Sequence, residues 1–108
     1  MLQANEIEQR LNHIQQTIGE AEQVCRAAGS VPQQLQDCID RLWQESNQVR
    51  QVMQSQDQQR IIECVDNLES ISDEAKRASR SQPNMSANLE NAVTRVHAEL
   101  SELKHQLH

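Results

Sequence analysis

The sequence predicts an all-α protein, an antiparallel bundle of four helices connected up-down-up-down. The 108 residues include two Gly, two Pro and a single aromatic side chain, a composition that favours helices over strands. Apolar residues also recur at alternating spacings of three and four, which is the pattern of one buried helix face. A chain of this length suits one domain, and we expect that domain to span 1–108.

The first helix is predicted over about residues 3–28 and carries an unbroken heptad seam. The seam consists of Ala4, Ile7, Leu11, Ile14, Ile18, Ala21, Cys25 and Ala28. Gly29 suits the left-handed position after a helix end, Ser30 could cap the next helix, and Pro32 fits an early helical position. The sequence therefore predicts a tight reversal at this point.

The second and third helices are predicted over about 32–54 and 57–80. The second seam is Leu35, Ile39, Leu42, Ser46, Val49 and Met53, flanked by Val31, Cys38, Val52 and Trp43. The third seam is Ile61, Val65, Leu68, Ser72, Ala75 and Ser79, flanked by Ile62 and Ile71. The apolar stripe slips at Ser55–Gln56–Asp57, and Asp57 is a good N-cap. The alternative is a bundle of three helices, in which one long central helix runs over 33–81.

The fourth helix is predicted over about 84–107. Pro83 ends the third helix because it lacks an amide donor and restricts the residue before it, and Asn84 or Ser86 could cap the fourth. Its seam consists of Leu89, Val93, Val96, Leu100, Leu103 and Leu107. The second and third seams contain Ser46, Ser72 and Ser79, so we expect the middle of the core to hold fewer large apolar side chains.

Charge and cysteine content exclude several classes of partner. The net charge of −6 leaves no overall positive field that would attract nucleic acid or an anionic membrane surface. No secretory signal is visible, and no apolar run has the length of a membrane span. The three cysteines are an odd number and lie in helical segments, which indicates reduced thiols. We therefore expect a cytoplasmic protein that binds no nucleic acid and no membrane.

The thiols of Cys25, Cys38 and Cys64 are the strongest candidate metal ligands. Cys25 lies on a seam and the other two lie beside one, so the three could converge on Cu(I) or Zn(II), which soft sulfur suits. The plainer interpretation is that each is a small buried hydrophobe, because no Cys-x-x-Cys pair is present. Glu102 and His105 have the Glu-x-x-His spacing of di-iron bundles, but Leu100, Leu103 and Leu107 place this pair on the outer face.

His13 and His97 are candidate phosphoryl acceptors, because histidine phosphotransfer modules are four-helix bundles with an exposed His in mid-helix. Such a site needs cationic and small neighbours. His97 instead precedes Glu99, and His13 has mainly Gln around it apart from Arg10. We interpret both as solvated surface histidines. No Gly-rich phosphate loop and no Ser or Cys nucleophile with a nearby base is present, so no catalytic residue, cofactor or small-molecule substrate is predicted.

A surface for another protein is the function that remains. Trp43 is the only aromatic residue, and a lone Trp is a common anchor of protein interfaces, although it could also be a rim residue packed on the next helix. The prediction is a small non-enzymatic interaction module: an adaptor, a chaperone-like factor or a self-associating bundle. The alternative is a thiol-based Cu(I)- or Zn(II)-binding bundle that uses Cys25, Cys38 and Cys64.

Overall fold

Five helical segments form an all-α bundle, which confirms the predicted fold class. They are α1 (Ala4–Ala27), α2 (Gln33–Ser46), α3 (Val49–Gln54), α4 (Gln58–Arg80) and α5 (Ala87–Leu107). The computed structural model describes residues 3–29, 31–81 and 87–108, and no strand occurs within these ranges. α2 and α3 together form the second helix of the bundle.

The helices pack as a closed ring of neighbours. α1 contacts α2 and α5, and α4 contacts the same two helices from the opposite side. Cross-helix pairs show that neighbours are antiparallel, because residue numbers rise along one helix as they fall along the next. Arg10 faces Glu102 and Glu20 faces Arg95 between α1 and α5. This arrangement is the predicted up-down-up-down bundle.

The boundary at Ser55–Gln56–Asp57 is a true break in the chain direction. Gln56 has a positive φ of 55°, the left-handed conformation that ends many helices. The Asp57 carboxylate then accepts a hydrogen bond from the Gln59 amide at 3.0 Å and caps α4. The predicted N-cap is confirmed, and the alternative with one long central helix is wrong.

A second interruption, at Asn47 and Gln48, was not predicted. The sequence predicted a continuous helix over 32–54, but α2 ends at Ser46 and α3 begins at Val49. The Gln48 amide bonds to the carbonyl of Glu45, three residues back, so the helical turn is tightened locally. Ser46 and Asn47 are poor helix formers, and the Ser46 hydroxyl donates to the Trp43 carbonyl at 2.8 Å.

The core is built from the predicted seams. The buried apolar side chains include Leu11, Ile18, Leu35, Ile39, Val65, Leu68, Leu89, Val96, Leu100 and Leu103. The three seam serines are also buried, and each hydroxyl donates to a carbonyl three residues earlier in its own helix. Ala4 and Ala28, the predicted ends of the first seam, are exposed because the neighbouring helices do not cover them. Met53 is only partly buried.

Several predicted features fall on residues that the structure does not describe. The proposed caps at Ser30, Asn84 and Ser86, the stop at Pro83 and the predicted start of the fourth helix all lie outside the described residues. Across the described helices, none has the combination of length and apolar character that crossing a membrane requires.

Two helix ends provide a matched test of backbone conformation. Gln56→Gly should raise the free energy of unfolding by about 1 kcal/mol, because a side chain is disfavoured at the positive φ of this residue. Gly29→Ala should lower it by about the same amount, since Gly29 has a φ of 74° with open space around it. Urea denaturation measures both. Shifts of the same sign in the two variants would contradict these backbone assignments.

Candidate functional site

Trp43 lies on the flank of α2, where its indole rests on α1. A Cβ atom built on Gly19 would be 3.1 Å from Cζ3 of the ring, so the absence of a side chain there makes room for the indole. Trp43 is partly buried and packs against the edge of the apolar core. The six-membered ring of the indole therefore contacts α1 at Gly19, and part of the side chain remains exposed to solvent.

The three cysteines occupy different environments. Cys25 on α1 and Cys38 on α2 are buried in the core, whereas Cys64 on α4 is partly exposed. The Cys38 thiol lies 3.9 Å from the Glu74 carboxylate on α4. In the part of the chain that the structure describes, no group of three or more His, Cys, Asp or Glu side chains is placed to hold a metal ion.

Burial changes the acidity of all three thiols. Burial raises the pKa of Cys25 and of Cys38. The Asp40 carboxylate raises the pKa of Cys25 further, and the Glu74 carboxylate raises that of Cys38 further. Burial also raises the pKa of Cys64 to about 11, with a smaller contribution from Glu45. The thiols therefore remain protonated at neutral pH. Metal ligation and nucleophilic attack both require the thiolate, so this environment suits neither reaction.

The alkylation rate of Cys64 tests this environment. At neutral pH, iodoacetamide should modify Cys64 in the native protein about 300-fold more slowly than free cysteine, because a pKa near 11 lowers the thiolate fraction. The rate should rise about tenfold per pH unit until the pH approaches that value. Mass spectrometry of the modified peptides measures the rate, and urea-unfolded protein serves as the control. Fast native alkylation at neutral pH would contradict the assigned pKa.

The Glu102 and His105 pair points away from the core, as predicted. Both side chains are exposed, while Leu100, Leu103 and Leu107 on the same helix are buried. Glu102 lies 3.6 Å from Arg10 on α1, in a surface ion pair. The seam therefore identified correctly which face of α5 is buried.

His97 differs from its prediction as a solvated surface residue. Its side chain is 15% exposed and lies between α5 and α4. The Ser72 hydroxyl donates to the Glu69 carbonyl at 2.7 Å. Because a hydroxyl carries one proton, Ser72 Oγ then accepts from Nδ1 of His97, 3.1 Å away. The two helices are thus linked by a buried polar contact that the periodicity did not reveal.

Carboxylates surround the His97 ring on both sides. Glu69 lies 3.9 Å from Nδ1, and Asp73 lies 3.9 Å from Nε2. Each carboxylate also pairs with a cation, because Lys104 approaches Glu69 at 3.3 Å and Arg77 approaches Asp73 at 3.0 Å. A serine, a histidine and a carboxylate thus lie together, but the serine is 1% exposed and its proton points to the backbone. We interpret the cluster as a link between helices, because a substrate cannot reach the hydroxyl.

The contribution of this link can be measured with two serines on one helix. Ser72→Ala should lower the free energy of unfolding by about 1 kcal/mol more than Ser79→Ala does, since only Ser72 also bonds His97. Both hydroxyls are buried and both donate to a backbone carbonyl three residues back, so Ser79 is a matched control. Thermal or urea unfolding compares them. Equal effects would show that the His97 contact adds nothing.

His13, the other candidate phosphoryl acceptor, is exposed and lies 3.0 Å from Glu99 on α5. The second oxygen of Glu99, Oε2, is buried and has no hydrogen-bond partner. A pocket of about 380 Å³ beside these residues is also lined by Ile14. Among the described residues, two carboxylates, Glu99 and Glu102, line this pocket with one cation, Arg10, which is already paired with Glu102. A dianionic phosphoryl group would be disfavoured there.

A concavity lies beside the second interruption of the bundle. We call it the α3 groove: it runs between α2–α3 and α4, measures about 540 Å³, and is lined by Glu45, Val52, Arg60, Glu63, Cys64 and Asp66, among others. Sequence patterns did not predict this groove, because the turn at Asn47 and Gln48 that borders it contains neither Gly nor Pro.

The fold and its surfaces define a four-helix bundle with buried seams and shallow grooves between neighbouring helices. Comparison with known proteins identifies no relative of this chain. No protein-family model matches the chain, and no curated protein or solved structure shows a significant similarity to it.

Proposed function

We propose that this chain is a small protein–protein interaction module that acts without catalysis, either on a separate protein partner or by self-association. The observation that carries the proposal is the position of Trp43. The indole is held against α1 at Gly19, yet it stays partly exposed on the outer surface. A large aromatic side chain that is already fixed in place loses little conformational entropy on binding, and such residues contribute strongly to interfaces.

The residues that point into the core also support this proposal, because they are occupied by packing within the bundle. The seam residues fill the core, and the buried serine hydroxyls donate within their own helices. The polar network of His97 links two helices and encloses its serine. The outer faces are what remain to contact other molecules. The proposal also places the protein in the cytosol, because three free thiols suit a reducing compartment.

Partner capture and light scattering test the proposal together. Light scattering should find a dimer, or the immobilised protein should retain a stable partner from a cell lysate. Trp43→Ala should reduce either association at least tenfold, which corresponds to about 1.4 kcal/mol of binding free energy. His105→Ala, a change at an exposed residue on α5, is the control and should leave the association unchanged.

Two results would overturn the proposal. The first is a strictly monomeric protein that retains no partner. The second, which would exclude Trp43 as the anchor, is an association of the same strength in the wild type and in a folded Trp43→Ala variant.

A further inference from the structure

The α3 groove exists because the second helix of the bundle is interrupted. α3 has six residues and packs chiefly against α4, whereas α2 packs against both α1 and α4. The turn at Asn47 and Gln48 separates the two segments. A continuous second helix would pack against both α1 and α4 along its whole length. Here the interruption leaves an open surface groove beside α3.

Two of the side chains that line the groove are apolar, and we call this pair its floor. They are Val52 from α3 and Cys64 from α4, and both side chains are only partly buried by the bundle itself. Burial keeps the Cys64 thiol in its neutral form, so this side chain behaves as a small hydrophobe. An apolar side chain from another molecule could cover these two residues and bury further apolar area.

The carboxylates that line the groove, which we call its rim, are Glu45, Glu63 and Asp66. Glu45 accepts a hydrogen bond from Asn67 at 3.1 Å, and Glu63 accepts one from Gln59 at 3.4 Å. Asp66 contacts His108 at 2.8 Å. Among the described residues, none of these three carboxylates forms an ion pair with Lys or Arg. Of the described residues in the groove lining, Arg60 is the one with a guanidinium, so the three carboxylates leave negative charge in excess there.

Several carboxylates elsewhere on the bundle form ion pairs across helices with Lys or Arg, as in Arg41–Glu74 at 3.3 Å and Lys104–Glu69 at 3.3 Å. The pair Arg10–Glu102 bridges α1 and α5 in the same way. The α3 groove instead combines two apolar side chains with three carboxylates that form no ion pair with Lys or Arg among the described residues.

We propose that the α3 groove binds a basic amphipathic segment of a protein partner. Lys or Arg side chains of that segment would pair with Glu45, Glu63 and Asp66, and an apolar side chain would lie on Val52 and Cys64. This inference rests on the proposed function, since it names the chemistry of a partner for an interaction module. Charge complementarity selects a basic segment and repels nucleic acid, whose phosphates carry the same sign as the rim.

A designed peptide tests the inference directly. The probe is a fluorescein-labelled amphipathic helix of Leu and Lys, and its counterpart has Glu in place of Lys. Fluorescence anisotropy should show binding of the Lys peptide and none of the Glu peptide. The groove variant Glu45→Gln/Glu63→Gln/Asp66→Asn should bind the Lys peptide at least tenfold more weakly.

A matched control separates the groove from net charge. Glu6→Gln/Glu8→Gln/Glu90→Gln removes the same number of charges from exposed positions on α1 and α5, and it should change the affinity less than threefold. An equal loss in both triple variants would overturn the inference, because net charge alone would then explain the binding. Failure of the wild type to bind the Lys peptide would overturn it as well.

Protection of Cys64 locates the peptide without any substitution in the rim. The bound Lys peptide should slow iodoacetamide alkylation of Cys64 at least fivefold at raised pH, because it would cover the groove floor. Binding without protection of Cys64 would overturn the assignment to this groove. This measurement also keeps the inference testable if the groove variant does not fold.

The outcomes of the two proposals can be told apart. If the wild type and the groove variant associate equally with a Trp43-dependent partner and the Lys peptide does not bind, the groove inference fails and the proposed function stands. If the protein is monomeric and retains no partner from lysate, yet the Lys peptide binds and protects Cys64, the groove binds this chemistry and the Trp43-based proposal fails.

Discussion

Leu103→Ala should lower the free energy of unfolding by about 2–5 kcal/mol, the range for deleting a buried leucine side chain. Leu103 has no exposed surface and lies on the seam of α5 that faces the core. The loss combines the transfer free energy of the removed carbons with the cost of the cavity left behind. A domain of this size has about 5–15 kcal/mol of stability in total, so the variant should be markedly less stable.

His105→Ala is the control for the Leu103 variant. His105 is two residues further along the same helix and is exposed, so its removal should change the free energy of unfolding by no more than about 0.5 kcal/mol. Urea titrations followed by circular dichroism measure both variants. A larger loss for His105→Ala than for Leu103→Ala would mean that α5 turns its other face to the core.

Gly19→Val should force the Trp43 indole away from α1. A Cβ at Gly19 would already be 3.1 Å from the ring, and the two γ-methyl groups of Val need more room than that. The expected cost in unfolding free energy is about 1–3 kcal/mol, the range for overpacking a well-packed site. Because Trp43 is the only aromatic residue, intrinsic fluorescence reports on it alone, and the displaced indole should emit at longer wavelength.

Gln16→Val provides the comparison for Gly19→Val. Gln16 lies on an exposed face of α1, so this variant shows the effect of a β-branched residue on the helix without any contact with Trp43. Its emission spectrum should match that of the wild type. A wild-type spectrum and wild-type stability in Gly19→Val would show that the indole does not rest on Gly19.

The seams could be predicted from the sequence because burial of one helix face follows directly from spacing. The inward positions of α4 and α5, from Ile61 to Leu107, are buried as predicted. The same spacing predicted that Glu102 and His105 lie on the outer face of α5, and both side chains are exposed. Asp57 was recognisable as an N-cap because its side chain satisfies an amide within its own helix. Each of these features depends on local geometry alone.

The burial of His97 could not be predicted in this way. His97 follows the seam residue Val96, and the rotation of α5 against α4 decides whether that flank is covered or exposed. Periodicity gives the direction of the seam but not which neighbour covers each flank. The α3 groove was missed for a related reason. Its boundary at Asn47 and Gln48 depends on a small difference in helix propensity, which packing could have overridden.

The short α3 segment also gives the bundle unequal local stability. Because α3 packs chiefly against α4 and is flanked by two interruptions, we expect residues 49–54 to open without unfolding the ring of longer helices. Their amide hydrogens should exchange with solvent at a lower free energy than those in the middle of α4. Because Val52 of α3 lines the adjacent groove, opening of this segment would widen the groove while the longer helices keep their packing.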